Sequence, residues 1–247
     1  MLAGVVAFGI GEKTHNLIPV EQHPTNLQGS TVMQSDWKDR SAASTKNGAI
    51  TYAVFGLCLG AGLGIAGGLT RRSAPRATVG GVLGAFLGAG LGGALAWWTL
   101  PWFLEAQLDY TDRELLVSLG MHALHWGILG AIAGLAFVIA LGHYRLSLGA
   151  MISGLMGAVL GTLVYDLIGA GILPMAGTDH PIAETWTARL LASILVSLGA
   201  ALAVATVGLP DSAPAAAEPN PSGSGRSARE PESALTDSPP RSGGVPE

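Results

Sequence analysis

The sequence predicts an all-α integral membrane protein: a helical bundle of five full transmembrane helices plus a partial N-terminal one, packed through small residues of the GxxxG type. Three observations carry this expectation. Of 247 residues, 49% are hydrophobic and only 12% charged, against about 25% charged in a soluble domain. There are 36 glycines, roughly twice the soluble average and without the triplet period of a collagen. The apolar residues also gather into runs of about twenty, the length that crosses a ~30 Å hydrocarbon core as a helix. Mean hydropathy is therefore +0.44 even with polar segments averaged in.

The elements follow in order. Met1–Ile10 is apolar but, at ten helical residues, reaches only about 15 Å, and it lacks the basic side chain of a secretory signal. It reads as the last half of a first transmembrane helix whose recorded start is too far downstream; a short interfacial or re-entrant segment is the rival reading. Residues 11–48 read as a polar extracytoplasmic loop. Five spans follow at Ala49–Leu69, Ala77–Trp98, Leu119–Leu141, Leu146–Ile168 and Thr187–Leu209. Helices suit them because open strand edges cannot satisfy their backbone groups in lipid, and the alternation of a membrane barrel is missing. From Pro210 the composition turns to Pro, Ser, Ala, Gly and Glu, so residues 210–247 read as a disordered cytoplasmic tail.

Loop charges orient the spans. Arg71, Arg72 and Arg76 lie in one connection and Arg145 beside His143 in another, both without acids; by the positive-inside rule these turns face the cytoplasm. The intervening loops then face outside, with Glu105, Asp109, Asp112 and Glu114 in one and Asp179 and Glu184 in the other. Trp97, Trp98, Trp102, Trp126 and Trp186 fall near the outer span ends, as an interfacial aromatic belt requires. The basic residues of loop 11–48 are the one mild objection. The expected location is a bacterial cytoplasmic membrane with the C-terminus inside.

The glycines are ordered. Gly56, Gly60, Gly64 and Gly68 recur every fourth residue on the first full span, and Gly80, Gly84, Gly88 and Gly92 on the second. Such spacing lines one helix face, where a missing side chain lets a second backbone approach closely. Gly157 and Gly161 continue a small-residue row on the fourth span. A shift of 73 or 74 residues aligns parts of the first two spans with the next two and suggests a tandem repeat of helical hairpins. Two apparent dinucleotide fingerprints, through Gly62, Gly64 and Gly67 and through Gly88, Gly90 and Gly93, lie deep inside apolar spans. They lack the strand–turn–helix context that would hold a pyrophosphate.

Several function classes fall away. Net charge is −4 and no basic run is long enough to track a phosphate backbone, so nucleic acid is not an expected partner. A single cysteine, Cys58, excludes an intrachain disulfide and a thiolate metal cluster. Charge inside the membrane is the better pointer to function. Asp166 near the outer boundary, His122 and His125 at i, i+3, and Arg189 in the first turn of the last span form a candidate polar cluster. The leading expectation is an Asp166–Arg189 pair with the histidines capping or hydrogen-bonding at the interface. The same residues could line a ligand or ion vestibule, or offer two imidazoles and a carboxylate to a metal; neither cofactor nor metal is expected.

The stretches Met121–Gly127 (Met-His-Ala-Leu-His-Trp-Gly), Val164–Gly169 (Val-Tyr-Asp-Leu-Ile-Gly) and Pro181–Trp186 (Pro-Ile-Ala-Glu-Thr-Trp), with the glycine-rich hairpin, resemble bacterial polytopic membrane proteins of uncharacterised activity. Over roughly residues 1–209 the resemblance implies membrane location and no particular chemistry. The expected role is non-enzymatic, a scaffold or component of a membrane assembly. Its partners would be the lipid bilayer and either a second copy of the chain or other membrane proteins. The alternative is a small transporter or channel with an outer polar mouth, and a metal-dependent membrane enzyme is a distant third.

Overall fold

A computed structural model describes residues 1–27, 30–109, 114–172, 176–178 and 180–208; the predicted tail lies outside them. Six helices make up most of the described chain: α1 (Leu2–Thr14), α2 (Trp37–Thr70), α3 (Ala74–Asp109), α4 (Glu114–Leu141), α5 (Ser147–Ile172) and α6 (Trp186–Gly208). Helices α2 to α6 each contain a stretch long and apolar enough to cross a membrane, so the chain is an all-α membrane bundle. A short antiparallel hairpin, β1 (His23–Leu27) with β2 (Ser30–Gln34), pairs His23 with Gln34 and Leu27 with Ser30 between α1 and α2.

Two helices run well beyond their apolar cores. Helix α2 begins twelve residues before Ala49, because Asp36 caps it and Asp39 reaches back to the Asp36 backbone N–H in a capping box. Helix α3 passes through Pro101, which hydropathy alone takes as a stop; burial of Leu100, Phe103 and Leu104 carries it on. The predicted 11–48 loop is thus helical at both ends. Its middle is tied to α2 by Asn47, whose amide accepts from Ile18 N–H at 3.0 Å and donates to Ile18 C=O at 2.9 Å.

Glycine sets how the helices meet. A Cβ at Gly56 would strike the Gly88 carbonyl, one at Gly60 the Gly84 carbonyl and one at Gly64 the Gly80 carbonyl. The partners fall by four residues on α3 as they rise by four on α2, so the contact is an antiparallel seam of backbone on backbone. Gly68 continues it against Ala77 and Gly92 against the Tyr52 carbonyl. The device recurs between α4 and α5, where Gly130 meets Gly154 and Gly134 meets Ala150. It recurs again between α5 and α6, where Gly157 meets Gly199 and Gly161 meets Leu195. Without a hydrophobic force between helices in lipid, such close approach supplies the dispersion contact that associates them.

Helix α4 is the centre. Some 78% of its most apolar window is buried, against 33% to 44% for the other four spans. Its Leu129 and Ala136 fill the groove of the α2–α3 hairpin beside Gly92 and Gly84, while buried Val196, Ala200 and Val204 of α6 share its core.

The α2–α3 and α4–α5 turns are built alike. Ser73 N–H reaches Gly68 C=O and Arg72 N–H reaches Leu69 C=O; His143 N–H reaches Val138 C=O and Gly142 N–H reaches Ile139 C=O. Each is a Schellman helix end, which needs a left-handed residue just past the helix. One turn uses Gly142 at φ +75°; the other holds Arg72 at φ +52°, a conformation that costs a non-glycine residue roughly 1–2 kcal/mol.

These contacts separate glycines that look alike in sequence. A methyl at Gly84 would meet the Gly60 backbone and Ala136 Cβ at 2.9 Å, whereas one at Gly90 meets nothing within 4 Å. Gly84→Ala is expected to destabilise the detergent-solubilised protein by about 1–3 kcal/mol, the usual cost of overpacking, and Gly90→Ala to leave its melting temperature unchanged. Equal melting temperatures for the two variants would sink the seam.

Candidate functional site

The two ends of the bundle differ. The ends of α1 and α3 and the starts of α2, α4 and α6 meet at a histidine end. The α2–α3 and α4–α5 turns form an arginine end. At the histidine end the sequence places His122 and His125 on α4, Asp166 on α5 and Arg189 on α6, and the fold pairs them differently from expectation.

Asp166 does not pair with Arg189. Its Oδ1 lies 3.1 Å from His122 Nδ1, and Arg189 turns instead to α1. There it donates to both carboxylate oxygens of Glu12, Nε to Oε1 at 2.6 Å and Nη2 to Oε2 at 3.0 Å. Its Nη1 donates to the carbonyls of Ala183 at 2.8 Å and Glu184 at 2.7 Å and lies 3.3 Å from His15 Nε2. One guanidinium thereby fastens α1, α6 and the α5–α6 connection. The Arg189–Glu12 contact is the bidentate, fork-on-fork form of the guanidinium–carboxylate pair.

His122 is almost fully buried, at 2% exposure. Its Nε2 lies 3.0 Å from the His180 carbonyl, which can only accept, so that nitrogen carries a proton. The bond to Asp166 then contains one more proton, on either the ring or the carboxyl, and the pair is neutral as a unit in both forms. The second carboxylate oxygen, Oδ2, is buried and has no hydrogen-bond partner among the described residues. Above the pair, Tyr52 Oη donates to the Pro181 carbonyl at 2.9 Å. Tyr52 and His122, from two helices, thus hold down adjacent carbonyls of the α5–α6 connection.

His125 takes no part in this. Its Nδ1 donates to Met121 C=O at 2.9 Å, and its Nε2 lies 2.9 Å from Thr99 Oγ1 on α3. Its ring packs on Tyr52 with centroids 4.5 Å apart. With both nitrogens engaged away from Asp166, His122, His125 and Asp166 do not form a metal-ligand triad. Trp126 also departs from expectation. It is buried against Tyr52 and Phe55 and does not belong to the exposed aromatic set of Trp97, Trp98, Trp102 and Trp186. Among the described residues, Glu21, His23 and Asp39 bring three ligand atoms within 4.8 Å of one another at the exposed β-hairpin. Asp39 there is already committed to the α2 cap.

Two cavities adjoin the cluster. One, of about 60 Å³, lies among α1, α2, α4 and α6 and is walled by Glu12, Tyr52, Phe55, His122, Trp126 and Arg189; that space admits roughly four water molecules. A wider vestibule of about 760 Å³ lies against Asn47, Leu104, His180 and Glu184. His15, Pro181 and Ile182 line both and divide them. Neither is lined by a residue of the arginine end. Residues that sequence reading passes over, Glu12, His15, Tyr52, Asn47 and Thr99, make most of this architecture. Only Glu12 carries a local signal, a lone acid closing an apolar run.

No protein-family model, curated protein or solved structure matches the chain.

The hydrogen bond from Arg189 holds the Glu12 carboxyl below its ordinary value of 4.5, so its stabilisation is present above that value and is lost as pH falls through the lowered one. Burial, reinforced by the nearby Arg189 charge, pushes His15 below 6.5, so the fold favours the neutral ring and loses stability as pH falls below 6.5. Both act in one direction. Melting temperature is expected to decline from pH 7 toward pH 4, and Arg189→Gln, which frees Glu12 and relieves His15, should flatten that decline while lowering stability at pH 7 by about 1.5–3 kcal/mol. An unchanged pH profile in Arg189→Gln would refute the staple.

Proposed function

We propose that the protein is a non-enzymatic, multi-pass component of a bacterial cytoplasmic-membrane assembly, with the histidine end outside, the arginine end and C-terminus inside, and the outer end as its working surface. The carrying observation is the contrast along the bundle axis. Polar side chains, cavities and latched connections gather at the histidine end, while below them the helices meet backbone to backbone at Gly60–Gly84, Gly64–Gly80 and Gly134–Ala150. Buried Ile132, Ala133, Ala136 and Val138 of α4 fill the space between. Such an interior suits a rigid element better than a conduit. The orientation rests on the arginines of the two short turns.

A transport reading keeps one specific point in its favour: the vestibule leads toward a cavity beside His122, whose partner Asp166 has an unpaired buried oxygen. Reconstitution decides between the two. Proteoliposomes containing the protein and a trapped pH-sensitive dye, with a potassium gradient and valinomycin, are expected to show proton entry no faster than empty liposomes. Entry at several times the empty-liposome rate, abolished by Asp166→Asn, would replace the assembly reading with transport.

A further inference from the structure

We propose that the arginine end is a binding site for the phosphate of an anionic glycerophospholipid, held between the α2–α3 and α4–α5 turns. The two turns carry Arg71, Arg72, Arg76, His143 and Arg145 at the same end of the bundle, all exposed. They interlock: Arg71 Nη2 lies 2.7 Å from His143 Nε2, and the Arg76 guanidinium lies over Gly142, its Nη1 3.2 Å from where a Cβ would stand. Arg71 and Arg76 of one hairpin thus reach across to the turn that carries Arg145 of the other.

Among the described residues that cluster has no carboxylate of its own. The sequence contains no Asp or Glu between Asp39 and Glu105, between Glu114 and Asp166, or between Glu184 and Asp211, so every acid in the described helices sits at or toward the opposite end. Like charges held together without a counter-charge leave a strong positive potential. Guanidinium forks answer it best with phosphate oxygens, which they bind two at a time.

The surroundings select a lipid over free phosphate. Leu69, Leu146 and Leu148 are exposed by 60%, 42% and 68% beside the charged residues, and Tyr144 by 69%. A headgroup on the arginines would lay its acyl chains along these side chains, which inorganic phosphate does not engage. Basic pockets between transmembrane helices at the cytoplasmic face recognise anionic headgroups by this combination.

The full-length protein in neutral detergent tests this by thermal melting with added phosphatidylglycerol, phosphatidylcholine or inorganic phosphate. Phosphatidylglycerol is expected to raise the melting temperature by several degrees. Phosphatidylcholine and phosphate should not, and the gain should shrink in high salt. The gain should vanish in Arg71→Gln/Arg76→Gln and fall in Arg145→Gln, whose exposed side chain can be changed without disturbing either turn. An equal gain with phosphatidylcholine, or a full gain in both variants, would overturn the site. A gain with inorganic phosphate matching that of phosphatidylglycerol would assign the cluster to a free anion and overturn the lipid.

Discussion

Everything in this bundle depends on backbone meeting backbone. In a bilayer the lipid tails are as apolar as leucine, so helices gain nothing by hiding leucine from them; they gain by approaching more closely than lipid can. The Gly56–Gly88, Gly60–Gly84 and Gly64–Gly80 contacts achieve this between α2 and α3, and Gly130–Gly154 and Gly157–Gly199 extend it through α5 to α6. Once these seams are set, α4 has one place to lie, with Leu129 and Ala136 against the glycine faces of the first hairpin. These seams are stiff because backbone meets backbone with no side chain between them that could rotate away.

That rigidity positions the polar end. His122 and Asp166 face each other because α4 and α5 are held in register by Gly130, Gly134 and Gly154, several turns below. Arg189 works differently. It lies where α1, α6 and the α5–α6 connection converge: its Nε and Nη2 donate to Glu12, and its Nη1 donates to the Ala183 and Glu184 carbonyls beside His15. A fork with fixed donor directions can join three segments at once, which a lysine in the same place could not. The cavities at this end are what remains between this staple and the Tyr52–His122 latch on Pro181 and His180.

The opposite end inverts the electrostatics. At the histidine end acids and bases are both present and several pair, as Glu12 with Arg189 and Asp166 with His122, while the arginine end carries only positive groups among the described residues. This division is a property of composition along the chain, visible without any coordinates. The meeting of Arg71 with His143 and of Arg76 with Gly142 is not, because it depends on α4 packing into the α2–α3 groove.

Much of the fold was therefore legible in the sequence and little of the site. Apolar runs report the spans because helix length against bilayer thickness is a one-dimensional constraint, and four-residue glycine spacing reports which faces can approach a neighbour. Neither says which row faces which, and neither anticipates that burial of Phe103 and Leu104 draws α3 past Pro101. Trp126 looks like its interfacial relatives until α2 supplies Tyr52 and Phe55 around it. By itself the sequence determined a helical membrane bundle with small-residue faces and one basic end. Only the tertiary structure decided that Arg189 belongs to Glu12, 177 residues away, and Asp166 to His122. Hydrogen bonds are set by distance and direction in space, and neither separation in sequence nor residue type alone says which carboxylate a guanidinium will meet.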